Sequence, residues 1–217
     1  MATPSTTPAI SATSVLAELK ALKPRNAASL RAIRKRLTPQ IANVEPKQVL
    51  AFANTLIDHG ERFMAFELLL FRKIPLTRAE IEHLGRGMNT WDQVDTFGCY
   101  ISGVAWRKGE LTDAAIRAWA RSGDLWWRRA ALVSTVPLNL KARGGTGDPD
   151  RTLPICAMLV ADREDMVVKA MSWALRCLCS KYPDCVTDFL AHHEVAARVR
   201  REVSNKLLTG LKNPARP

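Results

Sequence analysis

The sequence predicts an all-α fold, a solenoid of stacked antiparallel helix pairs with a concave basic groove. Three observations carry this reading. Apolar residues recur at three- and four-residue spacing in one segment after another, which is helical periodicity. No segment alternates apolar and polar residues convincingly enough for a strand. Prolines and short polar joins cut the chain into roughly ten to twelve pieces of helical length. Helices that short are marginal alone and need lateral packing. Stacked pairs supply it and curve into a solenoid.

Taken in order, Met1 to Ser14 is rich in Ala, Thr, Ser and Pro and reads as a frayed tail. It lacks the basic and apolar regions of a secretory signal and the arginines of a transit peptide. Helical periodicity runs through Ala27 to Leu37, Lys47 to Asp58 and Arg62 to Phe71. Thr77-Arg78-Ala79-Glu80 has the spacing of a capping box and opens a helix over Arg78 to Leu84. Further helices are expected over Asp113 to Arg121, Leu125 to Val136 and Met166 to Ser180. Gly123 fits a helix stop and Asp124 caps the next helix. Pro39, Pro46, Pro75, Pro149, Pro154 and Pro183 mark joins, since proline suits a helix entry and damages an interior. Asn139 to Thr152 reads as a flexible insertion. Its Gly144-Gly145-Thr146-Gly147 run lacks the Gly-Lys-Ser/Thr of a phosphate loop, although Lys141, Arg143 and Arg151 are placed to brush a nucleic-acid backbone. Residues 15–210 are expected to form a single helical domain, and 211–217 a C-terminal tail.

Charge narrows the function. The 217 residues carry 32 Lys and Arg against 21 Asp and Glu, a formal net charge of +11. Such a surface points to nucleic acid, or less often to an anionic membrane. Seven cations and no acid lie between Lys20 and Arg36, and six cations with one acid between Val195 and Pro217. No apolar run approaches the roughly 20 residues of a membrane span. Five cysteines in a chain rich in core-forming residues argue against a disulfide scaffold and for a reducing cytoplasm. Cys177 and Cys179 diverge on a helix, as do His192 and His193, so no metal site is expected.

Three local patterns place aromatic and charged residues on otherwise apolar helices: Trp91-Asp92-Gln93-Val94-Asp95, Leu125-Trp126-Trp127-Arg128-Arg129-Ala130-Ala131-Leu132, and Lys169-Ala170-Met171-Ser172-Trp173-Ala174-Leu175-Arg176. Trp91 and Asp95, four residues apart, share one helix face. A ring face beside a carboxylate attracts a cationic guest. Trp106, Trp119 and one of Trp126 and Trp127 read as core, and Asp92 as a local cap. Adjacent residues lie about a quarter-turn or more apart on a helix, so Arg128 and Arg129 cannot both face one groove.

The ordered trio of patterns resembles the AlkD-type DNA alkylation repair family, HEAT-like helical-repeat DNA glycosylases, over about residues 45–205. The resemblance implies an active site of Trp91, Asp95, Arg129 and Trp173, with Arg176 following and Arg201-Glu202 matching a late Arg-Glu pair. After Arg176 the family often carries a Glu and an aromatic; here Cys177 and Leu178 stand instead.

The chemistry of the residues fits that implication. Alkylation at N3 or N7 makes a purine cationic and a good leaving group, so no general acid is needed. A carboxylate beside the sugar stabilises the oxocarbenium-like state and orients water, a role suited to Asp95. Trp91 and Trp173 would flank the lesion, and Arg129 would hold a phosphate bidentately and help keep Asp95 ionised. The cations expected on the DNA backbone are Arg31, Arg34 and Lys35 in the first cluster, Arg200 and Arg201 in the last, and Arg128, Lys169 and Arg176 beside the aromatic patterns. The expected protein is a cytoplasmic, monomeric glycosylase that needs no cofactor and acts on alkylated double-stranded DNA. The competing readings are a non-enzymatic helical-repeat module binding nucleic acid and, more remotely, a membrane-surface protein.

Overall fold

The computed structural model describes residues 11–213 and is all-helical, with no strand among the described residues. That is in keeping with a helical-repeat fold. The described residues divide into two compact units, one up to Pro75 and one from Leu76 onward.

The first unit holds α1 (Ala12–Ala21), α2 (Ala27–Gln40), α3 (Pro46–Asp58) and α4 (Arg62–Arg72). Ser11 caps α1 by accepting the Ser14 N–H. Residues 12–14 of the expected tail are therefore the first turn of a helix, anchored one turn later by buried Val15 and Leu19. The rest of that tail, residues 1–10, lies outside the described residues. Asn26 and Ser29 cap α2 reciprocally. Pro39 stands inside the end of α2 instead of at a join. α3 packs on α4, and α4 on α2.

Charge is also buried here. Glu67 on α4 is 2% exposed and accepts from Arg31 Nε at 3.3 Å and Arg34 Nε at 3.2 Å. The Arg34 guanidinium lies 3.6 Å from the Phe71 ring centroid. Expected on DNA, Arg34 is instead a core residue at 7% exposure, because a buried carboxylate needs a cation within reach. Arg31 shares that carboxylate, whereas Lys35 is exposed.

The second unit runs through α5 (Arg78–Gly85), α6 (Trp91–Phe97), a π-helical turn (Gly98–Ser102), α7 (Gly103–Lys108), α8 (Asp113–Ala120), α9 (Leu125–Val133), α10 (Val136–Asn139), α11 (Pro149–Met158), α12 (Asp165–Cys179), α13 (Pro183–His192) and α14 (Ala197–Thr209). The capping box at Thr77/Glu80 is present, and Asp124 caps α9 through the Trp126 N–H. Pro149 and Pro183 open their helices, but Pro154 is inside α11. α12 is the central element and packs against α9, α11, α13 and α14. Trp119 and Trp127 sit 4.9 Å apart by ring centroids, each 5.9 Å from Phe97. Trp106 and Trp119 are buried, as their sequence context suggested.

The segment from Asn139 to Thr152 is pinned, not a flexible insertion. The Asn139 side chain is buried and donates to Thr135 O and Thr152 Oγ1, while it accepts the Asp148 N–H. One amide closes both ends of the loop. Arg143 covers the Tyr100 ring, and Arg151 donates to Asp148 and to Trp106 O.

The expected C-terminal tail is folded back where it is described. Gly210 takes a left-handed conformation (φ 74°) at the end of α14, and Asn205 Nδ2 holds the Lys212 carbonyl at 3.1 Å. Residues 214–217 lie outside the described residues. Among the described residues no helix is long and apolar enough to cross a membrane, and no group of three or more His, Cys, Asp or Glu is placed to hold a metal ion. All five cysteines are free thiols.

Candidate active site

The site begins with how closely two helices approach. α6, the π turn and α7 follow one another without a break from Trp91 to Lys108, and this run packs across α9 and α10. At the crossing stand Gly98 and Gly103. A Cβ on Gly98 would meet Val133 Cγ1 at 2.5 Å, and one on Gly103 would meet the Ser134 carbonyl oxygen at 2.4 Å. Only glycine leaves room for the α9 backbone there. The Gly103 N–H donates to Gly98 O, five residues back, which is the π-helical bond. Ser102 and Ser134 join hydroxyls across the contact at 2.7 Å.

This contact carries Asp95, one turn before Gly98, onto Arg129, one turn before Val133. Arg129 Nε donates to Asp95 Oδ1 at 3.0 Å and Nη2 to Asp95 Oδ2 at 2.9 Å. The third nitrogen, Nη1, donates to the carbonyl of Met166 in the first turn of α12. The guanidinium therefore ties α6, α9 and α12 together. Arg129 is only 5% exposed, and its Nε/Nη2 edge is taken up by Asp95. The edge expected to hold a phosphate lies on Asp95, because a buried guanidinium needs a partner beside it.

Asp95 is held but not sealed. Its side chain keeps 19% exposure, and a carboxylate offers about four lone-pair positions, of which the arginine fork takes two. Burial pushes the Asp95 carboxyl above its ordinary value of 3.8; the charge and hydrogen bonds of Arg129 pull it back in part, and Asp92 nudges it up again. Two oxygens each accepting from a guanidinium is the bonding of the ionised form. The result is a fixed anion with its free edge toward solvent.

Trp91 stands one turn before Asp95 on the same helix and is 57% exposed. Trp173 is half-buried on α12, the helix whose first turn Arg129 holds. Behind the carboxylate Cys99 is buried, and its thiol is pushed up to about 12 mainly by that burial. It is inert packing, not a nucleophile.

The remaining expected DNA contacts divide. Arg128 Nε donates to Asp162 at 2.7 Å and its Nη1 to the Ser122 and Gly123 carbonyls, so its guanidinium closes the α8–α9 turn. Arg200 donates to the Leu190 and His193 carbonyls at the end of α13. Both are structural here, because the last carbonyls of a helix or turn need donors. Lys169 pairs with Asp165 at 2.7 Å on the helix surface. Arg176 and Arg201 flank Glu202 at 4.0 Å each.

Sequence reasoning missed the Met166 carbonyl, the two crossing glycines and Ser172. The five-residue spacing of Gly98 and Gly103 was the available signal for the crossing, since it is the period of a π turn. Ser172, fully buried one turn before Arg176, donates to Glu202 Oε2 at 2.6 Å and accepts from Arg176 Nε at 3.2 Å. The Arg176 guanidinium is thus linked through Ser172 to the Glu202 carboxylate.

Comparisons with known proteins cover most of the chain. The family model described as DNA alkylation repair enzyme matches residues 25–207. No curated protein matches the sequence. A solved structure described as "Predicted DNA alkylation repair enzyme from Enterococcus faecalis" is similar with a TM-score of 0.71 and 18% sequence identity, over 91% of this chain and 95% of that one. At that identity the likeness is one of fold. With its family match spanning most of its length, the chain belongs to the DNA alkylation repair enzymes.

Proposed function

We propose that the chain is a monofunctional DNA glycosylase that excises cationic N3- and N7-alkylated purines from duplex DNA by hydrolysing the N-glycosidic bond. The observation that carries this reading is an indole with most of its surface in solvent, one helical turn from an ionised carboxylate locked by a buried arginine. A ring face beside a fixed anion suits a cationic guest.

The mechanism follows from charge. An alkylated purine carries a positive charge and leaves readily as a neutral base. As the bond stretches, positive charge moves to the sugar. The fixed Asp95 carboxylate opposes that charge without reorganising, which is where electrostatic catalysis gains most. Its free lone pairs orient a water toward the anomeric carbon. Trp91 binds the cationic base through its ring face, with Trp173 as the second aromatic wall. Arg129 is a positioning residue: it fixes the carboxylate and keeps it charged. No step needs a cofactor, and the enzyme acts as a monomer in the cytoplasm.

Chromatographic detection of free base from N-methylated duplex tests this directly. Wild-type protein should release 3-methyladenine or 7-methylguanine in the presence of a chelator, and Asp95→Asn should release far less while remaining folded by circular dichroism. Salt-sensitive duplex binding with no base release would overturn the assignment in favour of a binding module.

A further inference from the structure

The net charge beside Asp95 belongs to a residue that the excision mechanism does not use. Asp95 and Arg129 form a closed pair, and a closed pair is neutral. Its field is that of a dipole, strong at contact and weak across the width of a purine. Arg129 and Asp92 are the two charges that act on the Asp95 carboxyl. With Asp92 counted, the three groups carry one net negative charge, in a chain whose formal charge is +11.

Asp92 is exposed. Expected as a local cap, it caps nothing. Thr90 is the N-cap residue of α6, with no side-chain bond to the helix, and Gln93 Oε1 accepts the Asn89 N–H at 3.1 Å. The Thr96 hydroxyl donates to the main-chain carbonyl of Asp92, at 2.7 Å, and not to its carboxylate. That carboxylate takes part in no hydrogen bond or ion pair among the described residues. At about 100° per residue, Asp95 projects between Trp91 and Asp92 on the helix. The exposed indole and the free carboxylate therefore flank the locked one.

We propose that Asp92 sets the charge specificity of the site: its free carboxylate favours a cationic alkylpurine over a neutral base of the same shape. The inference rests on the reading of a cationic base as substrate. The division of labour follows from range. Asp95 acts at contact, where a paired carboxylate still presents an oxygen edge. The Trp91 ring acts at contact too, because a quadrupole fades faster with distance than a charge. Asp92 supplies the single unpaired charge, and its pull reaches a base that is still approaching. The same anion repels backbone phosphates. It opposes undamaged DNA and favours the lesion, and specificity is the difference of the two.

The experiment is duplex binding by fluorescence anisotropy at one salt concentration, with two probes that differ in charge alone. One duplex carries a single 7-methylguanine and the other its neutral isostere, 7-deaza-7-methylguanine, both on a fluorinated sugar that resists base loss. Wild type should bind the cationic probe more tightly. Asp92→Asn should cut that preference by about three- to tenfold, the effect of one partly exposed unit charge at short range. Asp92→Glu, which keeps the charge, should retain it. An unchanged preference in Asp92→Asn overturns the inference, and so does a loss in Asp92→Glu equal to that in Asp92→Asn. A carboxylate that serves only the first turn of its helix would move the melting temperature and leave the preference alone, which is the same overturning result. If Asp92→Asn fails to fold, equal binding of both probes by wild type overturns it instead. Base release is measured apart, on duplex without the fluorine. Release by wild type beside an unmoved preference in Asp92→Asn defeats this inference and spares the glycosylase reading; a wild type that releases nothing defeats that reading on its own.

Discussion

Arg129 and Asp95 form a two-pronged pair across 34 residues of sequence, and the arginine's remaining nitrogen is spent on the Met166 carbonyl. One guanidinium thus sets the position and the charge of the carboxylate assigned to catalysis. Most consequences that can be measured follow from this pair and from the glycine crossing beneath it.

Asp95→Asn should cut base release by about a hundred- to a thousand-fold, the usual effect of removing one fixed electrostatic stabiliser. The amide retains one acceptor for Arg129, so the fold persists at reduced stability. Single-turnover rates on N-methylated duplex, set beside a thermal melt, separate the two effects. Full activity in the variant would refute the role given to Asp95.

Removing the arginine should change the pH dependence with a defined sign. Arg129 lowers the Asp95 pKa against the upward push of burial. Its loss in Arg129→Met therefore raises that pKa, and the acid limb of the rate profile, which follows ionisation of Asp95, moves to higher pH. Breaking a buried pair on one side also costs about 3–5 kcal/mol of stability. A rate profile measured between pH 4 and 8, with urea midpoints as the control, checks both statements; an unmoved acid limb contradicts the first.

Trp91→Ala should leave stability within about 0.5 kcal/mol, since truncating an exposed side chain removes little packing. Its effect falls on the substrate. Affinity for duplex carrying a cationic base should drop by roughly threefold or more, the range expected of a cation–π contact, while affinity for undamaged duplex changes less. Equal losses on both duplexes would move Trp91 from base recognition to general binding.

The crossing glycines make a paired test. Gly98→Ala and Gly103→Ala should each cost about 1–3 kcal/mol through overpacking, and each should lower base release by shifting Asp95. Val133→Ala removes the Cγ1 atom that the new Cβ at position 98 would strike at 2.5 Å, so it should partly rescue Gly98→Ala. It should do nothing for Gly103→Ala, where the obstacles are the Ser134 and Gly98 carbonyls. Urea midpoints of the three single and two double variants decide it.

Acid stability should carry the signature of Glu202. Its folded pKa lies below the ordinary 4.5. A carboxylate depressed in the folded state contributes stability above its unfolded value and loses it as pH falls through the folded value. The difference in Tm between wild type and Glu202→Gln should therefore be largest near neutrality and shrink below pH 4. Asp95, raised in the folded state, acts in the opposite direction, so the comparison must be made against the same Asp95 background.

Much of this was legible in the sequence because helices announce themselves locally. The boundaries of α3, α4, α5 and α12 fall within a residue or two of the apolar periodicity, and Thr77/Glu80 and Asp124 cap where their side chains predict. The Trp91–Asp95 spacing was readable for the same reason. Partnership was not. Nothing near Arg129 in sequence says that its fork is filled by Asp95 and Met166, nor that Arg34, Arg128 and Arg200 spend their charge on Glu67, Asp162 and helix-end carbonyls. A count of cations measures the field of the whole chain; which guanidinium is free depends on tertiary contacts. Pro39 and Pro154 misled in the same way: each sits close enough to a helix end, or to packing partners, that the missing N–H is tolerated.

The π turn between α6 and α7 has a final consequence. An extra residue threaded into a helix acts as a phase shifter: everything upstream is rotated about the axis by roughly 100° relative to an uninterrupted coil. Trp91 and Asp95 lie upstream, while α7 lies downstream, seated through Gly103 against Ser134 and α10. Shortening this stretch by one amino acid would keep the helix intact and swing the indole and the carboxylate together to a different compass bearing. The insertion, marked in the sequence only by two glycines five residues apart, sets the direction in which this protein looks.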